Sequence, residues 1–227
     1  ADVVGVGIDA TSATVFVTDA EGTPLCEKEE FKNNPHAYVK LWKHHGGQDQ
    51  ADRIIALAEE RGEEWLERYG GILSSEMLFP KILETYEKAP EVYAAADVVV
   101  NLLDWITWKL TGELTFAASD SGYKRMLTDG EYPSREFCEA LAPGFGPVFE
   151  EKMNAPIKQL GEKVGGLSAE AAKLTGLPEG IAVASGNIDA HVVVAGANAV
   201  KPGQMTAIIG TSGCYVINSE GYKPVPG

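Results

Sequence analysis

Three cysteines, Cys26, Cys138 and Cys214, are all that the 227 residues contain. They lie far apart and form no C-x-x-C pair, which argues against both a disulfide framework and a cysteine-based zinc site. Basic residues are also scarce: 19 Lys and Arg stand against 33 Asp and Glu, a formal net charge of −14. So acidic a chain disfavours a polyanion, and no nucleic-acid partner is expected. A small anion such as a nucleotide stays open, because backbone dipoles and one lysine can outweigh the overall field locally. No apolar run is long enough to span a bilayer, and the start ADVVGVGI lacks the basic and apolar regions of a signal peptide. The expectation is a cytoplasmic chain with no membrane partner. Internal repeats, low-complexity tracts and flexible linkers are absent as well.

What the sequence does contain is globular in character. Hydrophobic residues make up 44% and charged residues 23%, with four Trp, seven Phe and eight Tyr. That is enough to core one large domain, or one domain plus part of another. Residues 3–8, 14–18 and 24–28 predict a β-meander, with turn chemistry at 19–22. Gly5 and Gly7 sit inside a β-branched run without a third glycine, so a dinucleotide fingerprint is a poor match. Asp9, Thr11 and Ser12 cluster at the end of the first strand, where they suit a local turn as well as a ligand contact.

Residues 33–45 (NNPHAYVKLWKHH) predict a helix with Asn34 as cap and Pro35 in its first position. His44 and His45 are adjacent and diverge on a helix, and no clustered acids complete a zinc set, so no metal ligand is assigned. Helices are expected over 49–61, 63–69 and 74–89, the last with a kink or split at Pro80. A single packed helix is expected over 97–110, closed at Thr111 and Gly112; Asp104 within it is a candidate catalyst or, in the commoner case, a locally hydrogen-bonded acid. A short strand at 114–117 leads to a loop rich in Ser and Asp, with Lys124 presented beyond it. One helix over 134–141 and another over 168–176 follow, and strands flank a hydroxyl-bearing turn at 210–213 that can approach a phosphate or simply close a hairpin.

Residues 181–192 (IAVASGNIDAHV) place an acid, Asp189, after a strand-like run. Ligands of open α/β sheets bind outside the carboxyl ends of strands, so the position suits chemistry. Taken alone, it suits a helix N-cap better.

Several segments together resemble the FGGY carbohydrate kinases, and within them the ribulokinase group: VGIDATSA (6–13), NPHAYVKLWKHH (34–45), YGGILSSE (69–76), DWI (104–106), SGYK (121–124), GNIDAH (186–191) and GTS (210–212). The resemblance implies an α/β, actin-like ATPase (ribonuclease-H-like) fold. Residues 1–196 would be most of the first, sugar-binding domain, and 197–227 the opening strands of the second, ATP-binding one. It implies Mg2+-ATP as phosphoryl donor and a pentulose as acceptor, L-ribulose first, with xylulose, D-ribulose or a related polyol as alternatives. A non-catalytic sugar-binding module on the same scaffold is the alternative outside catalysis, and a homodimer is one assembly the resemblance permits. By motif, Asp189 corresponds to the general base, and Trp42 and Lys124 to sugar-binding residues. Gly210, Thr211 and Ser212 match a phosphate-binding turn. Ser12 stands at a pocket position where the ribulokinase group usually carries alanine. The D-x-G-T-x-S phosphate hairpin and the glycine-rich adenosine site of the family are not found, so the chain is expected to be an internal piece that is inactive alone.

Overall fold

A computed structural model describes residues 2–210 and 213–223. The chain opens on two short strands, β1 (Gly5–Val6) and β2 (Asp9–Ala10), followed by β3 (Val15–Thr18). These do not form the expected meander. β1 and β2 each pair in parallel with strands from the far end of the sequence, and the third stretch is a one-turn 3-10 helix, Leu25–Glu27. The predicted helix over 33–45 is likewise reduced to one 3-10 turn, Pro35–Ala37, where the Asn34 side chain accepts from the His36 N–H at 2.9 Å. Beyond it the chain runs extended, because Lys40 exchanges both backbone hydrogen bonds with Val15.

α1 (Gln48–Arg61) and α2 (Trp65–Arg68) form where their periodicity predicts, and Gly62 ends α1 in the left-handed conformation at φ 67°. α3 (Leu78–Lys88) starts later than expected, so Pro80 falls in its first turn. There the missing N–H has no intrahelical partner to lose, and the break comes instead at Ala89, before α4 (Pro90–Ala95). The run 97–110 is not one helix. Its V-V-V-N portion is β4 (Val98–Asn101), antiparallel to β3, and only then does α5 (Leu102–Thr111) begin.

β5 (Phe116–Ala117) feeds α6 (Ala118–Lys124), so the Ser- and Asp-rich stretch expected as a loop is helical and Lys124 ends it. α7 (Arg135–Leu141), capped by the Ser134 hydroxyl, is followed by a second helix, α8 (Val148–Lys152). β6 (Ile157–Lys158) pairs in parallel with β5, and β7 (Lys163–Gly166) leads to α9 (Ala169–Thr175), capped by Ser168 and closed at Gly176. Next come β8 (Ala182–Ala184), β9 (Asn187–Ile188), α10 (Asp189–Gly196) and the antiparallel pair β10 (Met205–Ile209) and β11 (Gly213–Ile217).

β1 pairs with β8 and β2 with β9, while Asn187 N–H bridges to the Ile8 carbonyl at 3.0 Å. β1 and β2 on one side and β8 and β9 on the other thus form an interrupted parallel pairing with a long crossover between them, an α/β arrangement and not a hairpin one. β3 and β4 pack under α1, α3, α7 and α8 in the main core, where Phe79 lies 5.2 Å from Phe149 and 5.9 Å from Phe145 between ring centres. Among the described residues, no helix is long and apolar enough to cross a membrane.

Candidate active site

Six separate segments converge on one cavity of about 340 Å³. Ser12, Trp42, Lys124, Asp189 and Gly210 line it, a volume suited to a small molecule. Thr211 and Ser212 lie outside the described residues. Glu76 and Tyr123 are among the other residues that line the cavity.

Ser12 follows β2 at the turn into β3. Its hydroxyl donates to Asp120 Oδ1 at 2.5 Å, and the next backbone N–H, that of Ala13, donates to the same oxygen at 3.3 Å. The Asn101 side-chain amide donates to the other oxygen of Asp120, which is wholly buried. With its proton committed to Asp120, Ser12 offers the cavity an acceptor. Ser12→Ala leaves a buried carboxylate one donor short and is expected to destabilise the chain by about 1–3 kcal/mol, read from urea unfolding.

Trp42 is half-buried on a loop without regular structure. The loop is held from below by charge. Lys40 donates to Glu84 at 2.7 Å, and the His44 ring meets the same carboxylate at 2.7 Å. Burial alone would raise Glu84, but Lys40, then His44 and Lys88, outweigh it and hold the carboxyl at about 2. Both histidines of the pair have protein partners: His44 meets Glu84, and His45 the Ser75 hydroxyl at 3.1 Å. No group of three or more His, Cys, Asp or Glu placed to share an ion occurs among the described residues.

Lys124 closes α6 and lies 3.6 Å from Glu76, its side chain 14% exposed. Asp189 is exposed at the first position of α10. It is not the cap, since Ile188 occupies that place, and one of its oxygens accepts from the Ala190 N–H at 2.8 Å. His191 packs edge-on against Tyr123 at 4.9 Å. Burial first, with Lys124, holds its imidazole below the usual value against the opposing pull of Asp120 and Asp189. An exposed carboxylate, a lysine and an indole around one small cavity can hold a polyhydroxylated ligand and accept a proton from it.

Asp104 is not in this cavity. It is buried beneath the site, accepting from the Ala117 N–H at 2.8 Å and from Arg125 Nη2 at 2.7 Å. Glu76, Asp120 and Lys81 were given no role from sequence. Glu76 does fall within a segment carrying the kinase resemblance, and Lys81 is a charge inside the apolar run MLFPKIL.

The sequence profile of the FGGY family of carbohydrate kinases, N-terminal domain, matches residues 1–196. The chain belongs to that family. Across its full length it is 54% identical to a ribulokinase of Mycolicibacterium smegmatis and 44% identical to one of Bacillus licheniformis, of which it covers 40% and 41%. This member of the family thus spans about 40% of the length of the curated relatives it matches. Among solved structures, a xylulose kinase from Rhodospirillum rubrum superposes with a TM-score of 0.72 at 22% identity, over 98% of this chain and 42% of that one. A glycerol kinase from Plasmodium falciparum, solved with ADP, superposes with a TM-score of 0.64 at 17% identity, over 93% and 39%. The fold is the α/β, actin-like one of these kinases.

Proposed function

We propose that the protein carrying this chain phosphorylates a pentulose, converting L-ribulose and ATP to L-ribulose 5-phosphate and ADP. In the step, the sugar hydroxyl oxygen bonds to the γ-phosphorus, the bond from that phosphorus to the bridging oxygen breaks, and ADP leaves with the electron pair. Asp189 takes the hydroxyl proton as the bond forms. Lys124 donates to sugar oxygens, Trp42 supplies a flat wall with one N–H donor, and Ser12 lines the floor. Gly210, Thr211 and Ser212 are assigned to the phosphate by their G-T-S motif, and Mg2+ arrives with ATP as its complex. Residues 1–196 make up the sugar-side domain and 197–227 begin the ATP-side one. Because the chain covers only about 40% of the relatives' length, the activity is assigned to the complete protein, and these 227 residues alone are expected to be inactive. The cytoplasm, where ATP is plentiful, is the proposed location.

The observation that carries this reading is the convergence of Ser12, Trp42, Lys124 and Asp189 on one cavity, in a chain whose relatives bear the name ribulokinase. A panel of L-ribulose, D-ribulose, xylulose and polyols tests the acceptor. L-ribulose is expected to give the highest kcat/KM, and Ser12→Ala to change the ranking of the sugars. A higher kcat/KM for xylulose would move the assignment to another FGGY activity.

A further inference from the structure

Lys81, in α3, is fully buried, yet its ammonium faces carbonyls and not a carboxylate. Nζ donates to the Ala13 carbonyl at 2.6 Å, the Leu41 carbonyl at 2.9 Å and, at longer range, the Trp42 carbonyl at 3.4 Å. Buried lysines are rare unless paired. Neighbouring Lys40 follows that rule with Glu84, whereas Lys81 has no carboxylate within ion-pair distance among the described residues. The three carbonyls belong to two loops far apart in sequence, and those loops carry Ser12 and Trp42 into the cavity. Ala13, moreover, adopts a left-handed conformation at φ 50°, unfavourable for a residue with a Cβ. Such residues persist where their surroundings over-determine them. Here the Ala13 carbonyl is fixed by Lys81 and its N–H by Asp120.

We propose that Lys81 is a positioning residue for the sugar pocket, clasping the Ser12 and Trp42 loops at the spacing that receives the substrate. The inference rests on the sugar-kinase reading. An apolar side chain of equal length would fill the space but orphan the carbonyls. The charged groups facing Nζ are Lys124 and Lys40, which oppose its charge, and Glu76 and Asp120, which favour it; burial is the largest influence and brings the group down to about 7. Below that pH the ammonium offers three donors to three carbonyls, and above it the amine offers two. The clasp, and with it sugar affinity, therefore weakens as pH rises through about 7. Global stability moves the other way. The unfolded chain keeps the proton to its ordinary value of 10.5, so between the two values the unfolded state binds more protons and folding gains with pH. Opposite trends in affinity and stability would not arise from a purely structural lysine.

The test measures KM and kcat for L-ribulose in the complete protein from pH 6 to 9, for wild type, Lys81→Met and Lys81→Arg. The sugar KM of wild type should rise several-fold across the range with kcat little changed. Lys81→Met should raise KM by about tenfold at pH 6, the loss of one to two hydrogen bonds, and by less at pH 9, with no pH limb of its own, and Lys81→Arg should flatten the pH profile, since guanidinium keeps its charge. A wild-type KM in folded Lys81→Met, or the same pH limb in Lys81→Arg, overturns the proposal. Hydrogen exchange of residues 11–14 and 40–44 decides without sugar: it should be faster in Lys81→Met, and unchanged protection overturns the proposal as well. Failure of wild type to phosphorylate any pentulose would instead refute the functional reading, and the exchange result would still judge Lys81.

Discussion

Asp189→Asn in the complete protein is expected to lower kcat for pentulose phosphorylation by about 10²–10⁴-fold, the range for losing a general base, while sugar KM changes by less than about threefold. The substitution keeps size and hydrogen bonding at the first position of α10 but removes the ability to take a proton. Little stability is at stake. The carboxylate is exposed and its hydrogen bond runs only to the Ala190 N–H, so the loss is that of one anion at a helix N-terminus, about 0.3–1 kcal/mol. A drop in kcat with unchanged unfolding therefore reports on chemistry. Unchanged turnover would remove Asp189 from the base role and leave it a helix-end charge.

The second large effect concerns Asp104. Truncating it to alanine should destabilise the chain by about 3–5 kcal/mol, because the Arg125 guanidinium is left buried and uncompensated. Arg125 has no measurable exposure, lies 3.6 Å over the Phe116 ring, and has Nε and Nη1 unpaired among the described residues, so Asp104 is its charge partner. Burial pushes the Asp104 carboxyl above its ordinary value while Arg125 pulls it back, the balance expected of a pair held out of water. For a chain of this size the loss corresponds to about 6–20 °C in Tm. Replacing both partners, Asp104→Leu with Arg125→Met, should recover much of it, since an apolar pair avoids the desolvation of two ions. A loss below about 1 kcal/mol in the single variant would mean that water reaches the pair.

Helix ends marked by a local residue were legible in the sequence. Gly62, Gly112 and Gly176 stop helices in the left-handed conformation, and Ser134 and Ser168 cap them. Elements decided by distant partners were not. The run 97–110 is largely apolar, and periodicity does not separate a buried strand from a helix there; pairing with β3 does. The segment after Asn34 has helical spacing, but its backbone is claimed by Val15 and Lys81. The same division holds in the site. Ser12, Trp42, Lys124 and Asp189 were assigned through resemblance to a kinase family, and all four line the cavity. Lys81 and Asp120 escaped because their partners, Ala13, Trp42 and Asn101, lie in other segments, and a lysine or aspartate read alone is surface charge.

The proposed reaction is phosphoryl transfer to a pentulose bound beside Asp189. It is tested most directly by following ADP and sugar phosphate when the complete protein meets Mg2+-ATP with and without L-ribulose. Pentulose-dependent ADP release matched by equimolar ribulose 5-phosphate is expected. Saturable L-ribulose binding with no pentulose-dependent ADP release would contradict it and make the cavity a sugar-binding site without catalysis.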